Sequence, residues 1–286
     1  MKKLLILAAA CAAVLTSLVP SATAITGNYE KDFVNDAVGL VVFYSDADPN
    51  DPFSHRCSGT LISAKVLVTA GHCTEGVDEG RVYFQQAVGP NYDPAAFGGK
   101  GGDPTTGYPY ENGYTFSRAD NYGFHNFAGF PDHRDVGVVI LDGAGYTPPS
   151  GNFGILPSAG AVDAYIAANK NKQDIRFLSS GYGLSDQDPV PVSFRERLMA
   201  NSYLVQDSSA KTNGINLRTT ANPSQGKGGT CNGDSGGPVF IAGTKVIAAV
   251  TSFGYNAQCK GLDYSYRLDR AEILSWINNP NRPDDN

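Results

Sequence analysis

Short runs of β-branched and aromatic residues, broken at close intervals by clusters of turn formers, dominate this 286-residue chain. Val38 to Tyr44, Gly59 to Ser63, Val66 to Ala70, Arg81 to Gln85, Val136 to Leu141, Ile175 to Ser179, Val239 to Ile241 and Lys245 to Phe253 each have the length and composition of a strand. Many short strands separated by Gly- and Pro-bearing turns point to an all-β sandwich or barrel. Helical periodicity is nearly absent before the C-terminus, where Asp269, Glu272, Ile273, Trp276 and Ile277 read as a capped amphipathic helix over 269–279. Its apolar face is expected to pack against the body of the protein rather than to bind a ligand.

Lys2 and Lys3 precede an apolar run from Leu4 to Val19, and Ala22-Thr23-Ala24 offers small residues for cleavage. Residues 1–24 therefore read as a secretory signal peptide cut after Ala24. Thr16 and Ser17 interrupt the run, and no later segment is long enough to span a bilayer, so the mature chain is expected to be off the membrane, secreted to the periplasm or the extracellular medium. Cys11 leaves with the leader; a lipoprotein signal would carry Leu where Ala8 stands. Cys57, Cys73, Cys231 and Cys259 remain, an even number bound for an oxidising compartment, and two disulfides are expected. Three connectivities are open, of which the sequential one, Cys57 with Cys73 and Cys231 with Cys259, closes two short loops in opposite halves of the chain.

The formal net charge of −6, more negative once Lys2 and Lys3 leave, gives no cationic surface for nucleic acid. Between Val88 and Pro131 the chain is rich in Gly, Tyr, Asn and Pro and reads as long surface loops, either the rim of a cleft or a passive insertion. Residues 143–157, with Pro148 and Pro149, read as a linker between two halves. Asp46, Asp48, Asn50 and Asp51 alternate oxygen donors, but Pro49 and Pro52 favour a solvated loop and the Gly and terminal Glu of a calcium loop are missing. With no C-x-x-C pair or tight Cys/His cluster, neither a metal nor another cofactor is expected.

Chemistry concentrates in Cys231-Asn232-Gly233-Asp234-Ser235-Gly236-Gly237-Pro238. A serine hydroxyl becomes a useful nucleophile only when a base takes its proton and amide N–H groups receive the oxyanion that follows. Flanking glycines allow the turn conformations and close backbone approach that this needs. The base is offered upstream in Val66-Leu67-Val68-Thr69-Ala70-Gly71-His72-Cys73, at a strand end, where a bridge from Cys73 to Cys57 would fix the backbone beside the imidazole. A carboxylate must orient that imidazole and stabilise its charged form. Asp135 fits best, because Val136 to Leu141 is apolar on both faces and carries it to the edge of a core; Asp120, Asp132 and Asp142 lie in more loop-like sequence.

These motifs resemble the chymotrypsin/trypsin-like serine protease family, in which the triad also runs His, Asp, Ser along the chain. Ser180-Gly181-Tyr182-Gly183, Val250-Thr251-Ser252-Phe253-Gly254 and Ser275-Trp276-Ile277 extend the resemblance over nearly all of the mature sequence. The resemblance implies two six-stranded antiparallel β-barrels, one over 25–142 with His72 and Asp135 and one over 158–268 with Ser235, the active site in the cleft between them and the C-terminal α-helix outside. It implies Gly233 and Ser235 as oxyanion donors, pairs Cys231 with Cys259, and makes Ser252, Phe253 and Gly254 a substrate-binding strand. The residue six before the nucleophile, at the base of the family's main side-chain pocket, is here Gly229. That position gives no support to an Arg/Lys preference. Thr230 and Leu262 would narrow the pocket toward small or medium apolar side chains, whereas Asp263 would put a carboxylate there under a shifted alignment; both remain open.

Ile25-Thr26-Gly27 resembles the family's activating N-terminus, whose new amine pairs with the Asp before the nucleophile, here Asp234. Signal peptidase alone would then activate the enzyme. The expectation is a monomeric serine endopeptidase whose partners are polypeptide substrates and protein inhibitors. A silent binding module or an esterase with the same triad are the alternatives.

Overall fold

The computed structural model describes residues 25–44, 53–88, 113–169, 171, 174–186, 196–222 and 224–285. The signal-peptide expectation, the acidic loop from Asp46 to Asp51 and the glycine cluster at 98–102 lie outside those residues. The first half carries β1 (Thr26–Gly27), β2 (Tyr29–Lys31), β3 (Val38–Tyr44), β4 (Phe53–Leu61), β5 (Val66–Thr69), the short α1 (Gly71–Thr74), β6 (Glu79–Tyr83), β7 (Tyr114–Asn121) and β8 (Gly137–Leu141). Strands β3 to β8 close into a barrel in the order β3-β4-β5-β8-β7-β6. The second half carries α2 (Ala161–Ala168), β9 (Arg176–Gly181), β10 (Leu198–Gln206), β11 (Asn216–Ala221), β12 (Gly228–Gly229), β13 (Pro238–Ile241), β14 (Ile247–Gly254), β15 (Gly261–Arg267) and α3 (Ala271–Asn278). Its six long strands run β11-β15-β14-β13-β9-β10, and pairing of β10 with β11 closes the second antiparallel barrel.

Period-two alternation explains how these strands build two cores and an interface at once. In β3, Val41 and Phe43 join Leu61, Leu67, Val82, Phe116 and Val139 inside the first barrel. Their neighbours Leu40 and Val42 turn outward to a shared core with Tyr182, Phe240, Val250 and Tyr266 of the second half. The second barrel fills its own interior with Ile175, Phe177, Leu217, Val239 and Ala249. Both faces of β3 are thus buried, which accounts for its unbroken apolar sequence. The segment after β8 is tied to both barrels, Gly154 N–H donating to Leu61 and Ile155 N–H to Lys245.

Several elements depart from the sequence reading. β7 lies inside the stretch expected to be surface loop, and β10, β11 and β15 were not expected as strands. Helix α2 is additional to the single closing helix. The closing helix does form, with Ile273, Trp276 and Ile277 buried, but Asp269 does not cap it: residue 270 holds the N-cap position without a side-chain bond. Asp269 instead accepts the Val162 N–H at the start of α2 at 2.9 Å and pairs with Arg267 at 2.8 Å. Residues 26–31, first in the described chain, pair not with the barrel that follows them but with β12 and β10 of the second. Among the described residues no helix is long and apolar enough to cross a membrane.

Past the end of α3 the chain folds back, and Arg282 becomes buried. Its guanidinium donates to Asp120 Oδ2 at 2.7 Å and to the Ile277 carbonyl at 2.9 Å, fastening the helix end to β7. Removing one member of a buried pair leaves the other charge undercompensated. Arg282→Ala is therefore expected to lower the free energy of unfolding by about 3 kcal/mol, measured by denaturant titration.

Candidate active site

His72 is carried by α1, the single turn that follows β5, and Cys73 beside it is bonded to Cys57 of β4. Asp135 stands just before β8, the antiparallel partner of β5, so the pairing Thr69 with Gly137 sets imidazole and carboxylate side by side. His72 Nδ1 lies 3.0 Å from each oxygen of Asp135, and the His72 backbone N–H donates to Asp135 Oδ1 at 2.8 Å. Ser252, at the other barrel's β14, donates its hydroxyl to Asp135 Oδ2. The three alternative aspartates are engaged elsewhere: Asp120 with Arg118 and Arg282, Asp132 with Tyr266 and Arg270, Asp142 with Ser117.

Asp135 is fully buried. Burial opposes its ionisation, but the His72 charge and the bonds from His72 and Ser252 outweigh that and hold the carboxyl below its ordinary value. Burial likewise opposes protonation of His72, and the charge and hydrogen bond of Asp135 more than reverse it, so the imidazole pKa is raised. Because Asp135 accepts from Nδ1, the neutral ring keeps its Nε2 lone pair available to take a proton.

Ser235 arrives from the second half, and its carbonyl accepts the Ser58 N–H of β4 at 2.8 Å, fixing the Ser235 loop to the strand that also bears Cys57. Gly236 makes that approach possible. Its φ is +74°, and a Cβ there would meet the Ala70 nitrogen and the Ser58 carbonyl oxygen at 2.6 Å. Within the loop, the N–H groups of Asp234, Gly236 and Gly237 donate to the Cys231, Thr251 and Asp234 carbonyls. Those of Gly233 and Ser235 have no backbone acceptor among the described residues, so they remain available to an incoming oxygen. Cys231 is bonded to Cys259, as the sequential pairing has it.

His72 and Ser235 line one cleft of about 300 Å³ together with Thr230, Ser252, Phe253 and Gly254. Gly229 and Leu262, both expected in the pocket, do not line it; Leu262 and Asp263 are neighbours on β15 and turn to opposite faces. Phe127, from the segment read as loop, walls the cleft beside His72, their ring centroids 6.0 Å apart.

One residue escaped the sequence reading altogether. His133 is buried, with Nε2 3.0 Å from the Ser252 hydroxyl oxygen and 3.8 Å from Asp135 Oδ2. Its Nδ1 lies 3.2 Å from the Pro131 carbonyl oxygen, so the ring bridges that turn to Ser252 of the other barrel. The available signal was position: a second histidine two residues before the chosen aspartate, in Asp132-His133-Arg134-Asp135.

At its N-terminal end the described chain enters the same region. Ile25 is fully buried, and its backbone hydrogen-bonds to Asp234, whose carboxylate also accepts the Gly183 N–H at 2.8 Å and the Cys231 N–H at 2.9 Å. Asp234 is itself fully buried, and burial pushes its carboxyl up to about 7 against the pull of these donors.

Comparison with known proteins agrees with this fold. The family model described as Trypsin matches residues 39–277. Trypsin delta of Drosophila melanogaster is 25% identical over 232 residues, 78% of each chain. Among solved structures, HL collagenase superposes with a TM-score of 0.62 at 21% identity, covering 88% of this chain and 96% of its own. Human heparin binding protein superposes with a TM-score of 0.62 at 18% identity, covering 90% and 99%. Two closed antiparallel barrels, a C-terminal helix and a match across most of the sequence lead to one conclusion: the chain belongs to the trypsin family of serine proteases.

Proposed function

We propose that this protein is a secreted serine endopeptidase that cuts polypeptides through an acyl-enzyme on Ser235. The observation that carries the reading is the buried Asp135 carboxylate bonded to Nδ1 of an imidazole that shares its cleft with Ser235. In the first step the Ser235 hydroxyl attacks the scissile carbonyl while His72 Nε2 takes its proton, and Asp135 stabilises the imidazolium. The Gly233 and Ser235 N–H groups receive the oxyanion. Collapse of the tetrahedral intermediate breaks the C–N bond, and His72 returns the proton to the leaving amine. Water, activated by the same imidazole, then splits the ester and restores Ser235. Ser252, Phe253 and Gly254, beyond the last β13 pairing of β14 at Val250, hold the substrate backbone as an added strand. Two disulfides suit an oxidising compartment and so support secretion.

Human heparin binding protein, by its name, binds heparin; a formal charge of −6 does not favour binding to a polyanion here. The test is covalent. A serine-directed fluorophosphonate should label the native chain at Ser235, located by peptide mass spectrometry, and the unlabelled protein should fragment an unfolded protein substrate. A native chain that resists the probe and leaves the substrate intact refutes the endopeptidase reading.

A further inference from the structure

Gly233 creates a chemical liability for the residue before it. In an Asn-Gly pair the asparagine carboxamide lies open to attack by the following backbone nitrogen, because glycine has no Cβ to obstruct the approach. The sequence holds three such pairs, Asn112-Gly113, Asn213-Gly214 and Asn232-Gly233. Asn112 lies outside the described residues. At Asn213-Gly214 the nitrogen that would attack is occupied: the Gly214 N–H donates to the Asp207 carbonyl at 2.9 Å, and the Asn213 N–H donates to the Ser209 carbonyl at 2.6 Å.

Asn232-Gly233 differs on each count. Asn232 is exposed and lines the cleft with His72 and Ser235. Its carbonyl accepts the Leu184 N–H at 2.7 Å, but its carboxamide has no hydrogen-bond partner among the described residues. Nor has the Gly233 N–H, the donor proposed above for the oxyanion. The two groups that must meet are thus adjacent and unengaged. Residue 233 cannot be bulkier to prevent it: its φ is +98°, and a Cβ there would lie 2.9 Å from Gly183 Cα.

We propose that Asn232 is a site of spontaneous deamidation, and that this modification inactivates the protein. The Gly233 nitrogen gives up its proton and attacks Asn232 Cγ; the new C–N bond closes a cyclic imide, and the side-chain nitrogen leaves as ammonia. In the imide, Gly233 has no N–H to give. Water then opens the ring at one of its two carbonyls. Attack at the side-chain carbon leaves an aspartyl residue, and attack at the main-chain carbon leaves an isoaspartyl residue whose backbone is one carbon longer.

Each product damages the site. Either carboxylate puts a negative charge beside the place where an oxyanion is to form. The extra isoaspartyl carbon cannot be passed along the chain. Cys231 is bonded to Cys259 on one side, and on the other Asp234 is fully buried with its N–H on the Cys231 carbonyl, so the Gly233 N–H itself must shift. The loss of activity rests on the endopeptidase reading above; the modification does not.

The test begins with Ser235→Ala, a chain that cannot digest itself, aged in mildly alkaline and mildly acidic buffer. Peptide mass spectrometry and an isoaspartyl methyltransferase assay follow the products. Asn232 should convert several-fold faster than Asn213, and faster in the alkaline buffer, because the attacking nitrogen must first lose its proton. Native protein aged in the same way is then treated with a biotinylated fluorophosphonate and divided into captured and uncaptured pools. Loss of an oxyanion donor lowers kcat by about 10² to 10³, so chains modified at Asn232 should collect in the uncaptured pool. Asn232→Gln, whose longer side chain must close a larger ring, should keep its captured fraction several-fold longer. An Asn232 that stays intact while Asn213 converts, or modified chains captured as readily as intact ones, overturns the inference. Fresh native protein that is never captured sinks the endopeptidase reading instead, while conversion at Asn232 in the Ser235→Ala chain still establishes the modification site.

Discussion

Asparagine in place of Asp135 should lower kcat by about 10⁴-fold. The carboxylate accepts from His72 Nδ1, from the His72 backbone N–H and from Ser252, so it fixes the ring's tautomer and its orientation together. An amide can turn its NH2 toward Nδ1. The imidazole then carries its proton on Nε2, facing Ser235, where a base needs a lone pair. The carboxylate's charge is also what lifts the imidazole pKa against burial. Without that charge burial is opposed by the smaller pull of Glu75, so the acid limb of the pH–rate profile should move to lower pH in the variant. Steady-state kcat/KM across the acid limb checks both effects. Full activity in a folded Asp135→Asn chain would show that another group orients His72.

How far the site could be read from sequence followed from how local each signal was. The nucleophile segment and the histidine segment are contiguous, and their glycines and cysteines are dictated by backbone geometry within a few residues. Asp135 was legible because an apolar run marked the strand that delivers it. His133 was not, since its meaning comes from Ser252, far along the chain and brought close only by the packing of one barrel on the other. Gly229 and Asp263, rival accounts of one pocket from sequence, lie against each other, a Cβ at 229 coming within 2.8 Å of Asp263 Oδ2. In the fold, strands buried on both faces, such as β3, announced themselves. β11 and β15 carry Asn216, Thr219, Thr220, Asp263 and Ser265, polar side chains that are buried. Their sequences therefore lacked the apolar contrast by which a strand is recognised. Asp269 has the composition of a helix cap, yet the nearby Arg267 and the start of α2 compete for its carboxylate and win.

The N-terminus carries the other large effect. A chain beginning at Ile25 is expected to be roughly 10² to 10⁴ times more active than one beginning at Ala24, a range that corresponds to the ~3–5 kcal/mol cost of breaking a buried pair. Asp234 is fully buried and is held by backbone N–H donors from Gly183, Cys231 and Ile25. Burial outweighs these donors and the nearby charge of Arg56 together, and pushes the group from 3.8 up to about 7. A free ammonium at Ile25 would add to that of Arg56 a positive charge at hydrogen-bonding distance. The Ile25 side chain, packed with Leu198 and Ala200, would keep it in place. Asp234 sits between Gly233 and Ser235, the two residues proposed to receive the oxyanion, so a poorly compensated charge there is expected to disturb that loop. The sign of the pH dependence follows. In the Ala24 chain the folded state keeps its proton up to about 7 while the unfolded state loses it near 3.8, so stability falls as pH rises between those values and stays reduced above them. In the Ile25 chain the ammonium favours the ionised carboxylate and removes much of that loss. The difference in unfolding midpoint should therefore widen from about pH 4 to about pH 7, in step with the difference in kcat/KM. Equal activity and parallel stability profiles for the two chains would mean that Asp234 is satisfied by peptide donors alone, and that activation by a new amine plays no part in this enzyme.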